Sequence, residues 1–162
     1  MMRFLHAAAA ALLALSIPAA ASAAGDEIHF QKQNWSFAGP FGTFDRAAAQ
    51  RGFQVYKEVC SACHSLKQGF YRNLEALGLT DKEVEAIAAT VTIPIIGDDG
   101  QPAERPGMPS DHFKSPFPNE KAARAAYNGA FPPDLSVIVK ARAGGADQIY
   151  SLLVGYADPP AD

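Results

Sequence analysis

Apolar residues recur at helical spacing in short stretches, and the intervals between them are rich in proline and glycine. Asp45-Arg46-Ala47-Ala48-Ala49 opens a helix running through Phe53 and Tyr56 towards Cys60, which at i, i+3 and i+7 share one face. Thr80-Asp81-Lys82-Glu83 is a capping box, followed by Val84, Ile87, Ala88 and Val91 as a second apolar stripe. Asn119 caps a third helix, with Glu120 near its positive end and Gly129 as its stop. Asp134 caps a short segment carrying Leu135, Ile138 and Val139. Gly144-Gly145 separates that segment from a last helix with Ile149, Leu152 and Leu153, ended by Gly155.

The remaining stretches show no sustained period. Asp26 to Phe44 reads as an extended arm lying on the domain. Thr92 to Pro118 reads as loop, with a turn at Asp98-Asp99-Gly100 and prolines at 94, 102, 106, 109, 116 and 118. Alternating strands are scarce, so the expected class is mainly α, with short helices between long irregular loops.

The first residues belong to a different kind of segment. Met1-Met2-Arg3 gives a positive start, Phe4 to Ile17 is apolar apart from His6 and Ser16, and Ala21-Ser22-Ala23 supplies a small-x-small cleavage pattern. An apolar core of about 14 residues suits a secretory leader and is short for a bilayer span of roughly 20. Residues 1–24 are therefore read as a signal peptide and 25–44 as the arm, so the chain is expected to be exported. The ending in Pro159-Pro160-Ala161-Asp162 reads as a truncation point rather than a finished domain.

Composition narrows the class further. The 162 residues are 48% hydrophobic and 19% charged, ordinary for one soluble domain and unlike a disordered or multi-span chain. Of the 14 basic residues only Arg3 leaves with the leader, so 13 stand against 17 acidic ones and the net charge becomes −4. No basic bias points to nucleic acid as a partner. Two cysteines permit at most one internal disulfide, which excludes a disulfide-stapled scaffold.

Both cysteines fall in Cys60-Ser61-Ala62-Cys63-His64, the C-x-x-C-H pattern of covalent haem attachment. Two thiols at i and i+3, at the end of a helix, lie on one side and match the separation of the two haem vinyl groups. The adjoining His64 imidazole reaches the iron from that side. A redox dithiol would call for a βαβ context, and a zinc site for further ligands that no second C-x-x-C or His pair supplies. For a sixth iron ligand, Met108 is the one methionine left once the leader is gone. His29 and His112 are further candidates, and the spacing does not choose among the three.

From about Phe44 onward the chain resembles the cytochrome c1 family, the haem-bearing subunit of quinol–cytochrome c reductase (cytochrome bc1) complexes. The resemblance rests on Arg51-Gly52-Phe53-Gln54-Val55-Tyr56-Lys57-Glu58-Val59 leading into the motif, on Arg105-Pro106-Gly107 with Ser110-Asp111, and on Asn128-Gly129-Ala130-Phe131-Pro132-Pro133-Asp134-Leu135-Ser136. Ile138-Val139-Lys140-Ala141-Arg142 and Ser151-Leu152-Leu153-Val154-Gly155-Tyr156 extend it.

It implies a c-type cytochrome fold over residues 45–162, with one haem c held by Cys60 and Cys63 and ligated by His64. Asn128, Pro132 and Pro133 would line the haem face, and Arg142 would neutralise a propionate. It also implies that the distal methionine and a C-terminal membrane anchor lie beyond residue 162, so that Met108 is a loop residue rather than a ligand. The implied partners are cytochrome b, a Rieske iron–sulfur protein as donor, and a soluble or tethered c-type cytochrome as acceptor, on the periplasmic side of the inner membrane. The acidic balance suits a basic acceptor. A free-standing periplasmic cytochrome, shuttling electrons or binding a gas, is the alternative.

Overall fold

The computed structural model describes residues 28–158; the leader read at 1–24 and the proline-rich ending lie outside them. Helix α1 (Arg46–Glu58) starts where the Asp45 carboxylate accepts from the Ala48 N–H at 3.0 Å. Past Val59 the chain tightens into a 3-10 turn at Cys60–Ala62. A second 3-10 helix, Tyr71–Leu77, ends at Gly78, where a φ of 93° favours glycine. Helix α2 (Asp81–Ala89) carries the expected box: the Thr80 N–H donates to the Glu83 carboxylate at 2.8 Å, and the Glu83 N–H to Thr80 Oγ1 at 3.4 Å.

The core forms where these elements meet. Tyr71 and Leu74 pack against Val84 and Ala88, with Phe53, Ile87, Val91 and Phe113 around them. Phe113 meets Tyr71 edge-on, ring centroids 4.8 Å apart.

The stretch from Thr92 to Pro118 is not all loop. It contains an antiparallel hairpin, β1 (Thr92–Ile96) with β2 (Pro102–Pro106), turning at Asp98–Gly100. Its register explains why the prolines concealed it. Gly97 N–H bonds Gln101 O and Gly107 N–H bonds Val91 O, so Ile93↔Arg105 and Ile95↔Ala103 share the hydrogen-bonded parity. Pro94, Pro102 and Pro106 all occupy the other parity, where a strand N–H would point away from its partner. Three missing donors therefore cost the ladder nothing. Ile93, Ile95, Ala103 and Arg105 form the half-buried face.

Helix α3 (Glu120–Ala126) begins at Asn119, whose Oδ1 accepts from the Ala122 N–H at 2.9 Å. It ends with Asn128 (φ 49°) and Gly129 (φ 91°) in the left-handed region, the Gly129 N–H returning to Arg124 O at 2.8 Å. The segment from Asp134 to Val139 makes turns rather than the short helix expected, although Asp134 Oδ1 accepts from the Ser136 N–H at 2.9 Å as a cap would. Helix α4 (Gly145–Val154) follows.

The arm from residue 28 to 44 lies along α4. Asp147 accepts from Trp35 Nε1 at 2.8 Å and from the Gln33 N–H at 3.1 Å, and pairs with Lys32. Mainly α thus describes the chain, with one small sheet added. Among the described residues no helix is long and apolar enough to cross a membrane.

Candidate functional site

Local backbone geometry groups the three motif side chains. Both the Cys63 and the His64 N–H groups donate to the Cys60 carbonyl, at 3.1 and 2.8 Å, so the 3-10 turn carries both sulfurs and the imidazole on one short arc. The two thiols are free of each other and partly exposed, leaving both available for bonds to an added group.

His64 is fixed from two sides. Its Nδ1 lies 2.8 Å from the Pro133 carbonyl oxygen. A carbonyl only accepts, so Nδ1 carries the proton and the Nε2 lone pair is left for a metal. Tyr56 of α1 donates its hydroxyl to the His64 carbonyl at 3.1 Å, and burial pushes that phenol up to about 12.

The Pro133 carbonyl reaches His64 because residues 65–68 are stitched to 134–136. Ser65 Oγ and the Lys67 N–H donate to one Asp134 carboxylate oxygen at 2.7 and 2.8 Å. The Leu135 N–H returns to Ser65 O, and the Gln68 N–H donates to Ser136 Oγ. Burial alone would raise the Asp134 carboxyl, but hydrogen bonds from Ser136, Lys67 and Ser65 hold it at about 2. Sequence reasoning took Asp134 for a helix cap and passed over Ser65, Tyr56 and Tyr127. Only the 69-residue separations spanned by these contacts give Asp134 and Ser65 their role.

Tyr127, at the end of α3, donates its hydroxyl to the Cys63 sulfur at 2.9 Å, a contact that holds the phenol above its ordinary value. Cys63 and Pro132 also border a cavity of about 580 Å³, shared with Lys67, His112, Phe117 and Phe131. That volume is within the roughly 300–1,000 Å³ range of small-molecule sites.

The other candidates are placed differently. Asn128 is exposed, and its positive φ ends α3. Arg142 is exposed, its guanidinium donating to its neighbour's carbonyl, and it does not border the cavity. Met108 is 46% exposed on a turn closed by Asp111; Asp111 borders the cavity and Met108 does not. Arg105 grips that carboxylate with two bonds of 2.6 and 2.7 Å, which hold the Asp111 carboxyl at about 2. His29 is exposed in the arm, whereas His112 borders the cavity with Cys63, its ring tilted against Phe70 with centroids 3.8 Å apart.

The donor set suits a haem. Two free thiols stand beside a histidine whose tautomer is already set for ligation. Among the described residues no group of three or more His, Cys, Asp or Glu side chains is placed to hold a metal ion. Val59, Val137, Val139, Leu152 and Leu153, on the segments flanking the motif and on α4, leave large apolar surfaces open to cover.

Comparison with known proteins agrees. The model of the Cytochrome C1 family matches residues 35–162. Cytochrome c1 of Rhodospirillum rubrum is 50% identical over 155 residues, 94% of this chain and 57% of the relative. The cytochrome b-c1 complex catalytic subunit of Candida albicans is 51% identical over 142 residues, 87% of this chain and 49% of its own. Cytochrome c1, heme protein, of Saccharomyces cerevisiae is 51% identical over the same length, covering 87% of this chain and 46% of the relative. The chain thus spans about half the length of the curated relatives it matches. With the family model running across the two-cysteine turn, the His64 ring and the Pro133 carbonyl that orients it, the chain belongs to the cytochrome c1 family.

Proposed function

We propose that this chain is the haem-bearing part of an electron carrier in a quinol–cytochrome c reductase complex, taking electrons from a Rieske iron–sulfur protein and passing them to a c-type cytochrome. The observation that carries the reading is the His64 Nδ1 contact to the Pro133 carbonyl, beside two unpaired thiols. The yeast relative is a heme protein by name, and the Candida relative a subunit of a cytochrome b-c1 complex.

The chain's own residues perform a small set of tasks. Cys60 and Cys63 would hold the haem through two thioether bonds, each made by adding a thiol across one vinyl C=C bond, with sulfur on one carbon and the thiol hydrogen on the other and no net electron gained or lost. His64 would ligate the iron through Nε2. Such a group would supply reversible one-electron redox chemistry. Pro132 and Phe131, which border the cavity beside Cys63, would exclude water from the macrocycle, and Arg142 keeps guanidinium donors for a propionate carboxylate. Asn128 acts by ending α3 ahead of the Pro132-Pro133 pair. Electron transfer of this kind needs no general acid or base. Membrane association, export to the periplasmic side and docking on cytochrome b belong to the same proposal.

Serine in place of Cys60 or Cys63 tests the attachment. Produced alongside haem-maturation machinery, each variant loses or halves its covalent haem, read by in-gel peroxidase staining after denaturation. Full retention in both variants would refute the assignment.

A further inference from the structure

Resting on the haem reading above, we propose that Tyr127 is a positioning residue for the redox centre: its hydroxyl clamps the Cys63 sulfur and tunes the haem through it. The contact is built rather than incidental. The phenol ring meets Phe117 edge-on, with centroids 5.5 Å apart at 84°, so its direction is set independently of the sulfur. Its backbone closes α3, the Tyr127 N–H donating to Ala123 O at 3.1 Å, and Ala123 is buried. A short helix anchored at one end and an edge-packed ring at the other thus aim one O–H at one sulfur.

Divalent sulfur is a weak acceptor, and a thioether keeps the lone pairs that a thiol offers. The clamp therefore survives conversion of the Cys63 S–H into an S–C bond. Among the described residues no side-chain donor reaches the Cys60 sulfur, so the two attachment points are inequivalent. A proton donor on the Cys63 thioether draws electron density from that edge of the macrocycle. This favours the reduced iron, which carries one positive charge fewer, and so raises the potential.

Tyr127→Phe keeps the ring and its packing on Phe117 while removing the donor. The test is a spectroelectrochemical titration of the purified, haem-loaded full chain, with covalent haem quantified in parallel. The variant is expected to keep its covalent haem, and its midpoint potential to move downward. A merely structural Tyr127 would leave the potential where it was, and an unchanged value overturns the proposal. If the variant attaches haem through Cys60 alone, seen in mass spectra of haem peptides, Tyr127 serves attachment rather than tuning and the proposal is overturned. Should Tyr127→Phe not mature, Phe117→Leu loosens the aim while keeping the hydroxyl; a downward shift there supports the proposal and an unchanged potential overturns it. An unsubstituted chain that takes up no covalent haem sinks the haem reading itself, a result distinct from either of these.

Discussion

At the scale of single residues, Asp134 decides more of the site than its ordinary surface chemistry suggests. One carboxylate gathers the Ser65 hydroxyl and the backbone N–H groups of Lys67 and Ser136, and so carries the Pro133 carbonyl onto His64. Hydrogen bonds to a charged group contribute about 1.5–3 kcal/mol each way they are counted in mutants. Asp134→Asn turns an acceptor-only group into one that presents an N–H to these donors, and is expected to lose roughly that amount of stability at neutral pH. The pH dependence has a definite sign. A carboxyl held at about 2, against an ordinary 3.8, binds fewer protons folded than unfolded, so its contribution is full above about pH 4 and disappears as pH falls towards 2. Urea unfolding of both chains at pH 7 and near pH 2 checks this: the gap between them should close in acid. A gap of equal size at both pH values would show that the carboxylate's charge plays no part.

Among the elements, what could be read from the sequence is what is local. Asp45 and Thr80 announce α1 and α2 because a cap and the backbone N–H that donates to it are three residues apart, and Asn119 announces α3 for the same reason. Cys60, Cys63 and His64 were legible because five consecutive residues hold the chemistry. The hairpin was not, since Pro94, Pro102 and Pro106 look like breakers until their shared parity is known. The Tyr71–Leu77 helix spaces Tyr71, Leu74 and Leu77 by three, the period of a 3-10 helix rather than the i, i+3, i+4, i+7 stripe of an α-helix, and the fastening of residues 65–68 to 134–136 pairs side chains far apart in sequence. Position also settles how the hairpin docks. A Cβ at Gly107, just past β2, would lie 2.5 Å from the Ala88 carbonyl oxygen at the end of α2. Backbone on both sides leaves little room to give, so Gly107→Ala is expected to cost about 1–3 kcal/mol. Thermal unfolding followed by circular dichroism reads that loss; a melting temperature equal to the parent's would mean that the hairpin rides loosely on the helix.

For the molecule as a whole, packing strength is uneven. The apolar core joins the Tyr71–Leu77 helix and α2, with the partly buried Phe53 of α1 packed against it, whereas no side chain of α4 enters it and α4 holds the arm through polar contacts and the Trp35–Tyr150 ring pair. Those contacts converge on Asp147, whose carboxyl is held below its ordinary value first by the Trp35 indole N–H and then by Lys32. A depressed carboxyl stabilises the docked arm above its unfolded pKa, and this support is withdrawn as acid protonates it. Trp35 is the chain's single tryptophan, stacked on Phe37 and edge-on to Tyr150, so its emission reports docking directly. Asp147→Ala removes the acceptor of the indole N–H, of the Gln33 N–H and of the Lys32 ammonium together. Its Trp35 emission is expected to shift to the red, with a faster proteolytic cut within residues 28–44. The unfolding of the Val84–Leu74 core should stay close to the parent's, because no core residue touches the change. In the parent chain the same red shift should develop as pH falls below the usual carboxylate range, ahead of core unfolding. Emission that stays blue in Asp147→Ala would mean that aromatic packing, rather than the carboxylate, holds the arm to α4.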